Sequence, residues 1–219
     1  MSTFTDPSGT ILTWREFGMV IENKVTELAM KNITNLEDLN SLFLIALNEI
    51  LEIFEDYMWQ MLQRGIIFAV EQMRRVDPRY HFAITWTPTD DTLLKELMDG
   101  CTTYLQNWRN DLQQKAAKQI DIGIKESENV EQIGARITTT INASKSRGVL
   151  IARTELMRAF NKAAEDRYTK AGFKMKWITA YDPEVCELCQ VMEGKILTPD
   201  DPRPPLHPNC RCTIIPVLM

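Results

Sequence analysis

Four of the five cysteines and one of the two histidines lie at or beyond position 186: Cys186 and Cys189 in "CELC", then His207, Cys210 and Cys212 in "HPNCRC". These residue types at this spacing suit a metal ion. Zinc takes four ligands in a tetrahedron, and a C-x-x-C turn presents two thiolates from one tight loop. The 17 residues between Cys189 and His207 leave room for a hairpin or a Pro-rich excursion, after which His207-x-x-Cys210 repeats the first spacing. Five donors then compete for four places. The favoured set is Cys186, Cys189, His207 and Cys210. Cys212 is the alternative, because Cys210 and Cys212 would share one face of an extended strand. A closed four-ligand shell leaves no open position for water, so the expected chemistry is structural: a Zn2+ ion on which a small lobe depends for folding.

Other uses of these residues fit less well. Disulfides belong to oxidising compartments and would leave His207 unexplained. The start of the chain, "MSTFTDPSGTILTW", has neither a basic n-region nor an apolar h-region, so a soluble, unsecreted protein is expected. Thioredoxin-like chemistry lacks a surrounding βαβ pattern. A zinc deaminase needs H-x-E ahead of its P-C-x-x-C, whereas His81 is followed by Phe-Ala. Cys101 stands apart on an apolar helical stripe and reads as a small core residue. Asp182, in "YDPEVC", is expected to accept hydrogen bonds from amides of the first knuckle or to make a turn before Pro183.

The elements that must position the cluster read as follows. "TWREFGMVIENKVTELAM" gives a short helix with Trp14, Phe17, Ile21, Val25 and Leu28 at three- and four-residue steps. Asn35, with Asp38 three positions on, opens a long helix that can continue to Val76, where Asp77-Pro78 stops it. Leu39, Phe43, Leu47, Ile50, Phe54, Met58 and Met61 form one stripe, widened by Leu44, Leu51 and Leu62, so this helix needs more than one neighbour. Pro78 to Pro88 is a connector with room for a short extended piece. Thr89 and two aspartates start a helix, antiparallel to the previous one, with Leu94, Leu97, Met98, Cys101, Leu105, Trp108 and Leu112 on one face. Ile122-Gly123 reads as a break, and Ser127 as the N-cap of the next helix, with Ile133 and Ile137 inward. "KSRGVLIARTELMRAFNKAAEDRYTKAGF" then places Leu150, Thr154, Met157, Ala164 and Tyr168 near one face, with Ala171-Gly172 as its stop. Beyond it "FKMKWITA" alternates as a strand, and "GKILT" and "CTIIPVLM" are short β-prone runs around the rigid loop "PDDPRPPLHP". The fold class is therefore α+β, with long α-helices in residues 1–125 and, in 126–219, helices followed by a small antiparallel β lobe.

No run of about 18 apolar residues suggests a membrane span. A formal net charge of -5 argues against a protein that coats nucleic acid with its whole surface. Yet nine basic residues lie between Ala143 and Lys176 (Lys145, Arg147, Arg153, Arg158, Lys162, Arg167, Lys170, Lys174 and Lys176), against three acidic ones. Such a stretch is either a solvated face or a contact for DNA or an acidic partner.

The run "IARTELMRAFNKAAEDRYTKAGFKMKWITAYDPEVCELCQVMEGKI", followed by "PPLHPNCRC", resembles the phage Mu F-like head morphogenesis family, the minor head or minor capsid proteins of tailed phages. The shared pattern is A-R-T-E on a helix, A-G at its end, W-x-T, a D-x-x-V-C-x-x-C knuckle, G-K-I and a closing H-P-N-C-R-C. It covers roughly Ser127 to Thr213. The resemblance implies a virion protein inside the head near the portal vertex, present in host cytoplasm during assembly and acting in head assembly or genome delivery. Its implied partners are the portal or major capsid protein and other copies of itself, with a possible packaged-DNA contact through Lys145 to Lys176. In longer chains the same module is fused to toxin domains such as ADP-ribosyltransferases, but here only "TIIPVLM" follows the knuckle. Arg153 and Glu155 invite a catalytic reading. Near-neighbours on a helix point about 100° apart per residue, so these two are expected to tie the helix to separate neighbours, with Trp177 a core anchor beside them. No nucleophile motif or phosphate loop is present, and an enzyme is not expected. The alternative function is a zinc-stabilised nucleic-acid-binding protein.

Overall fold

The computed structural model describes residues 36–81 and 83–218, together with Met19, Asn23, Lys24 and Glu27; the side chains of 36–39 and 145 are not included. The short helix read around Trp14 to Leu28, the Asn35 cap and the side chain of Leu39 fall outside these residues. The described chain is α+β, as its patterning implies: α1 (Leu36–Val76), α2 (Pro88–Lys125), α3 (Val130–Ala143), α4 (Lys145–Lys170), β1 (Lys174–Ile178), α5 (Glu187–Met192), β2 (Ile196–Leu197) and β3 (Thr213–Val217). None of its helices is long and apolar enough to cross a membrane.

The chain divides into two compact units. Among described residues, one is built from 57–81, 83–98 and 153–218, and the other from 36–56 and 99–152 with Met19, Asn23, Lys24 and Glu27. In the second unit Phe43, Leu47 and Ile50 of α1 are buried, as are Cys101, Leu105, Trp108 and Leu112 of α2. Gln113 donates to Asn40 at 3.1 Å, joining late α2 to early α1 as an antiparallel pair requires. Leu44, read as widening the stripe, is instead 49% exposed.

Two local expectations are corrected here. α2 does not break at Ile122-Gly123. It continues to Lys125, because Gly123 is a buried close-approach site: a β-carbon there would lie 2.5 Å from Ile133 Cγ1. The cap of α3 is Asn129 rather than Ser127, which has φ 55. Asn129 Oδ1 accepts from Gln132 N at 2.9 Å, and Gln132 Oε1 accepts from Asn129 N at 2.9 Å, a reciprocal capping box.

The first unit holds the sheet. β1 is central, antiparallel to β2 on one side and β3 on the other, with Trp177 opposite Ile214 and Met175 opposite Pro216. Pro216 is tolerated because β3 is an edge strand. Trp177 is fully buried, the core anchor its sequence position implied, alongside Tyr168 and Phe160 of α4. α4 ends as expected at Ala171-Gly172: Gly172 takes φ 74, its N–H donates to Thr169 O at 3.1 Å, and Phe173 N–H donates to Tyr168 O at 3.0 Å.

The α1–α4 crossing depends on Gly65. A β-carbon at that position would overlap the backbone carbonyl oxygen of Phe160 and lie 2.8 Å from Ala163 Cβ. Backbone cannot rotate aside as a side chain can. Gly65→Ala is therefore expected to cost about 3 kcal/mol, the upper part of the overpacking range, measurable as a lowered denaturation midpoint at unchanged slope.

Candidate metal centre

The first knuckle is shaped by Asp182. Its carboxylate accepts from Glu184 N at 2.9 Å and its backbone carbonyl from Val185 N at 3.2 Å, so the residue turns the chain through one side-chain and one backbone bond. The turn delivers Cys186 just ahead of α5 and Cys189 within it. The second knuckle is the loop His207 to Cys212, in which Asn209 takes φ 68 and Cys210 N–H donates to His207 O at 3.2 Å. Arg211, between the last two cysteines, reaches back to Asp182 at 2.5 Å and Glu184 at 3.1 Å. The two knuckles are thus clasped by an ion pair as well as by their sulfurs.

The five candidate donors lie close together in pairs and triples but do not form one mutually close set. They form two groups of three that share Cys189: Cys186, Cys189 and His207 in one, Cys189, Cys210 and Cys212 in the other, each with donor atoms within 4.8 Å of one another. His207 Nε2 lies 3.1 Å from Cys186 Sγ and 3.2 Å from Cys189 Sγ, and Cys189 Sγ lies 3.8 Å from Cys210 Sγ. Around a tetrahedral zinc, bond lengths of about 2.3 Å to sulfur and 2.0–2.1 Å to nitrogen put neighbouring sulfurs about 3.8 Å apart and sulfur and nitrogen about 3.5 Å apart. The Cys189–Cys210 edge matches, and the two sulfur–nitrogen edges are slightly tighter.

The histidine ring is oriented to offer Nε2 to the site. Its Nδ1 lies 2.8 Å from the Pro208 carbonyl, which can only accept, so Nδ1 carries a proton and Nε2 is the ring nitrogen that faces the sulfurs. Burial pushes the Cys189 thiol up to about 12. A hydrogen bond from Cys212, with others from backbone, holds Cys210 down at about 5, and that same contact with burial pushes Cys212 up. Three packed, buried sulfurs cannot all ionise alone, so a bound cation is what would let them do so. The Cys/His cluster can hold a metal ion. Cys101, by contrast, is buried in the α2 stripe, away from these donors in the chain.

The remaining residues singled out in the sequence are placed more simply. Glu155 is buried and pairs with Arg158 of its own helix at 3.0 Å. An open cleft of about 310 Å³ is lined by Thr89, Thr92, Leu93, Glu96, Lys162, Glu165, Asp166 and Thr169. Arg153, Glu155 and Asp182 are not among them. In the basic stretch, Arg147 pairs with Asp111, Arg158 with Glu155, Lys162 with Glu165, Lys170 with Asp166, and Arg167 with Asp90 and Asp166.

Sequence reasoning missed two groups that hold the lobe. Asn161, 2% exposed, donates from Nδ2 to Cys212 O at 3.1 Å and accepts at Oδ1 from Thr213 Oγ1 at 2.9 Å. The available signal was a polar residue two helical turns after Thr154 on an otherwise apolar face. The Pro-rich loop is held by Asp201, which accepts from Lys195 Nζ at 2.5 Å and Thr198 N at 2.8 Å, and by Arg203, which reaches Glu165 at 2.7 Å. The Lys195 ammonium, helped by Thr198, lowers the Asp201 carboxyl to about 2. Carbon-13 NMR should find that carboxyl ionised down to about pH 2, and Lys195→Ala should move its midpoint up toward about 3.9.

Comparison with known families gives one match: residues 114–215 match the model described as phage Mu protein F like protein. The resemblance read from the knuckle motifs is thereby supported over a little under half of the chain, and it begins earlier than Ser127, within α2. No curated protein and no solved structure matches.

Proposed function

We propose, on the premise that residues 114–215 are phage Mu protein F-like, that this chain is a minor head protein of a tailed phage or prophage. It acts inside the head near the portal vertex, in assembly or genome delivery, and is in host cytoplasm until the particle forms. The single observation carrying this reading is that the matched segment contains both knuckles and the helix α4 that supports them. Residues 126–219 form the family module and 1–125 the long-helix region that meets portal, capsid or sister copies.

Within the module the metal is zinc, held by Cys186, Cys189, His207 and Cys210. The 3.8 Å Cys189–Cys210 edge fits Cys210 as the fourth ligand, with Cys212, in the same group of three, as the alternative. A shell closed in this way has no place for substrate or activated water, so the ion is structural. The contribution of DNA contact through Lys145 to Lys176 is small, because five of the nine basic side chains there already pair with carboxylates.

The test is deletion of the gene from the phage or prophage that encodes it, with mass spectrometry of purified heads. Presence of the protein in wild-type heads and a collapse of infectious titre on deletion support the role. Heads without the protein, with unchanged titre, contradict it.

A further inference from the structure

We propose that Thr154 and Asn161 of α4 are positioning residues for the metal centre, making metal occupancy and the seating of the second knuckle on α4 one coupled event. The inference rests on the metal reading above. Thr154 Oγ1 accepts from Asn209 N–H at 3.1 Å, one residue before Cys210. Asn161 accepts from Thr213 Oγ1 at 2.9 Å, and its Nδ2 donates to Cys212 O at 3.1 Å and to Met157 O at 3.0 Å on its own helix. The loop is thus fixed on both sides of Cys210 by one face of one helix.

The two anchors are seven residues apart, about two turns, which is why they share that face. An apolar pair at 154 and 161 would fill the same space without fixing any loop backbone. That fixing matters because Asn209 sits in a left-handed turn, φ 68, uncommon for a non-glycine residue though Asn tolerates it best, immediately before Cys210. Released from α4, the loop would no longer present Cys210 at 3.8 Å from Cys189. Linkage then requires reciprocity: whatever α4 adds to metal affinity, the metal adds to the seating of the loop on α4.

The experiment measures zinc transfer from the full-length, zinc-loaded chain to a chromophoric chelator. Partners behind the ligands typically contribute about 10–100-fold in metal affinity. Thr154→Val, which keeps shape and removes the hydroxyl, should weaken zinc binding about 10-fold, and Thr154→Ser should restore it. Asn161→Ala should weaken it by up to about 100-fold. Asp90→Ala destabilises the same unit through α2 without touching the loop and should leave zinc affinity near the wild-type value. Wild-type affinity and release rate in Thr154→Val would overturn the proposal, as would an equal loss in Asp90→Ala. Should Asn161→Ala not fold, the Thr154 pair decides alone. Absence of zinc from the folded wild-type chain would instead remove the metal reading itself, and this inference with it.

Discussion

Cys189→Ser is expected to leave the protein unable to retain zinc, with loss of the lobe that follows β1. Cys189 is the one donor common to both groups of three, 3.2 Å from His207 Nε2 and 3.8 Å from Cys210 Sγ. It is also the most buried donor, 1% exposed, so no water can replace the thiolate without opening the site. Structural zinc contributes on the order of 10 kcal/mol to small zinc-bound folds at neutral pH. Losing a shared ligand should therefore abolish the lobe's cooperative unfolding, read by the near-ultraviolet signal of Trp177. Cys212→Ser should keep zinc, since Cys212 lies outside the proposed shell. Cys101→Ser should do so too, because that thiol belongs to the α2 core.

The second large effect is expected at the buried ion pair of Asp90 and Arg167, 2.8 Å apart at 1% and 2% side-chain exposure. Thr87 adds to it, donating from N and Oγ1 to Asp90 at 2.7 Å each, just before Pro88 opens α2. Asp90→Ala strands a buried guanidinium. The cost should be about 3 kcal/mol, the lower end for breaking a buried pair, since Asp166 still contacts Arg167 at 2.6 Å. Burial alone would raise the Asp90 carboxyl, but bonds from Arg167 and Thr87 outweigh it and leave it lowered. A lowered carboxyl contributes stability that is complete above its unfolded value, about 3.9, and is lost as pH falls through the lower folded value. Acid unfolding from about pH 4 downward should accordingly be shallower in Asp90→Asn than in wild type, in circular dichroism melts across that range.

The cluster itself was legible because metal ligands are few, chemically distinct and spaced by the turn that presents them. Cys186, Cys189, His207, Cys210 and Cys212 fall into two groups of three that share Cys189. The clasp around them was less legible. Arg211 reads as an accident between two cysteines until the fold brings Asp182 to it, and Asn161 acts across 51 residues of sequence. Helix content followed from periodicity, and so did the stops at Val76 and before Ala171-Gly172, whereas the end of α2 and the cap of α3 did not. Gly123 looked like a stop but is a contact with Ile133, a tertiary use of glycine that sequence cannot separate from a breaker. Asn129 was readable in principle, since N-x-x-Q is a capping box, but Ser127 came first in the chain. The basic stretch misleads in the opposite direction: Arg167 contributes to a positive count in sequence while it is buried against Asp90.

The measurement that bears most directly on this account is the metal content of the purified full-length chain by mass spectrometry of the element, with circular dichroism before and after a chelator. One zinc ion per chain is expected, removed together with structure of the C-terminal lobe. A folded protein without metal, its Cys186, Cys189, Cys210 and Cys212 paired as disulfides, would contradict it.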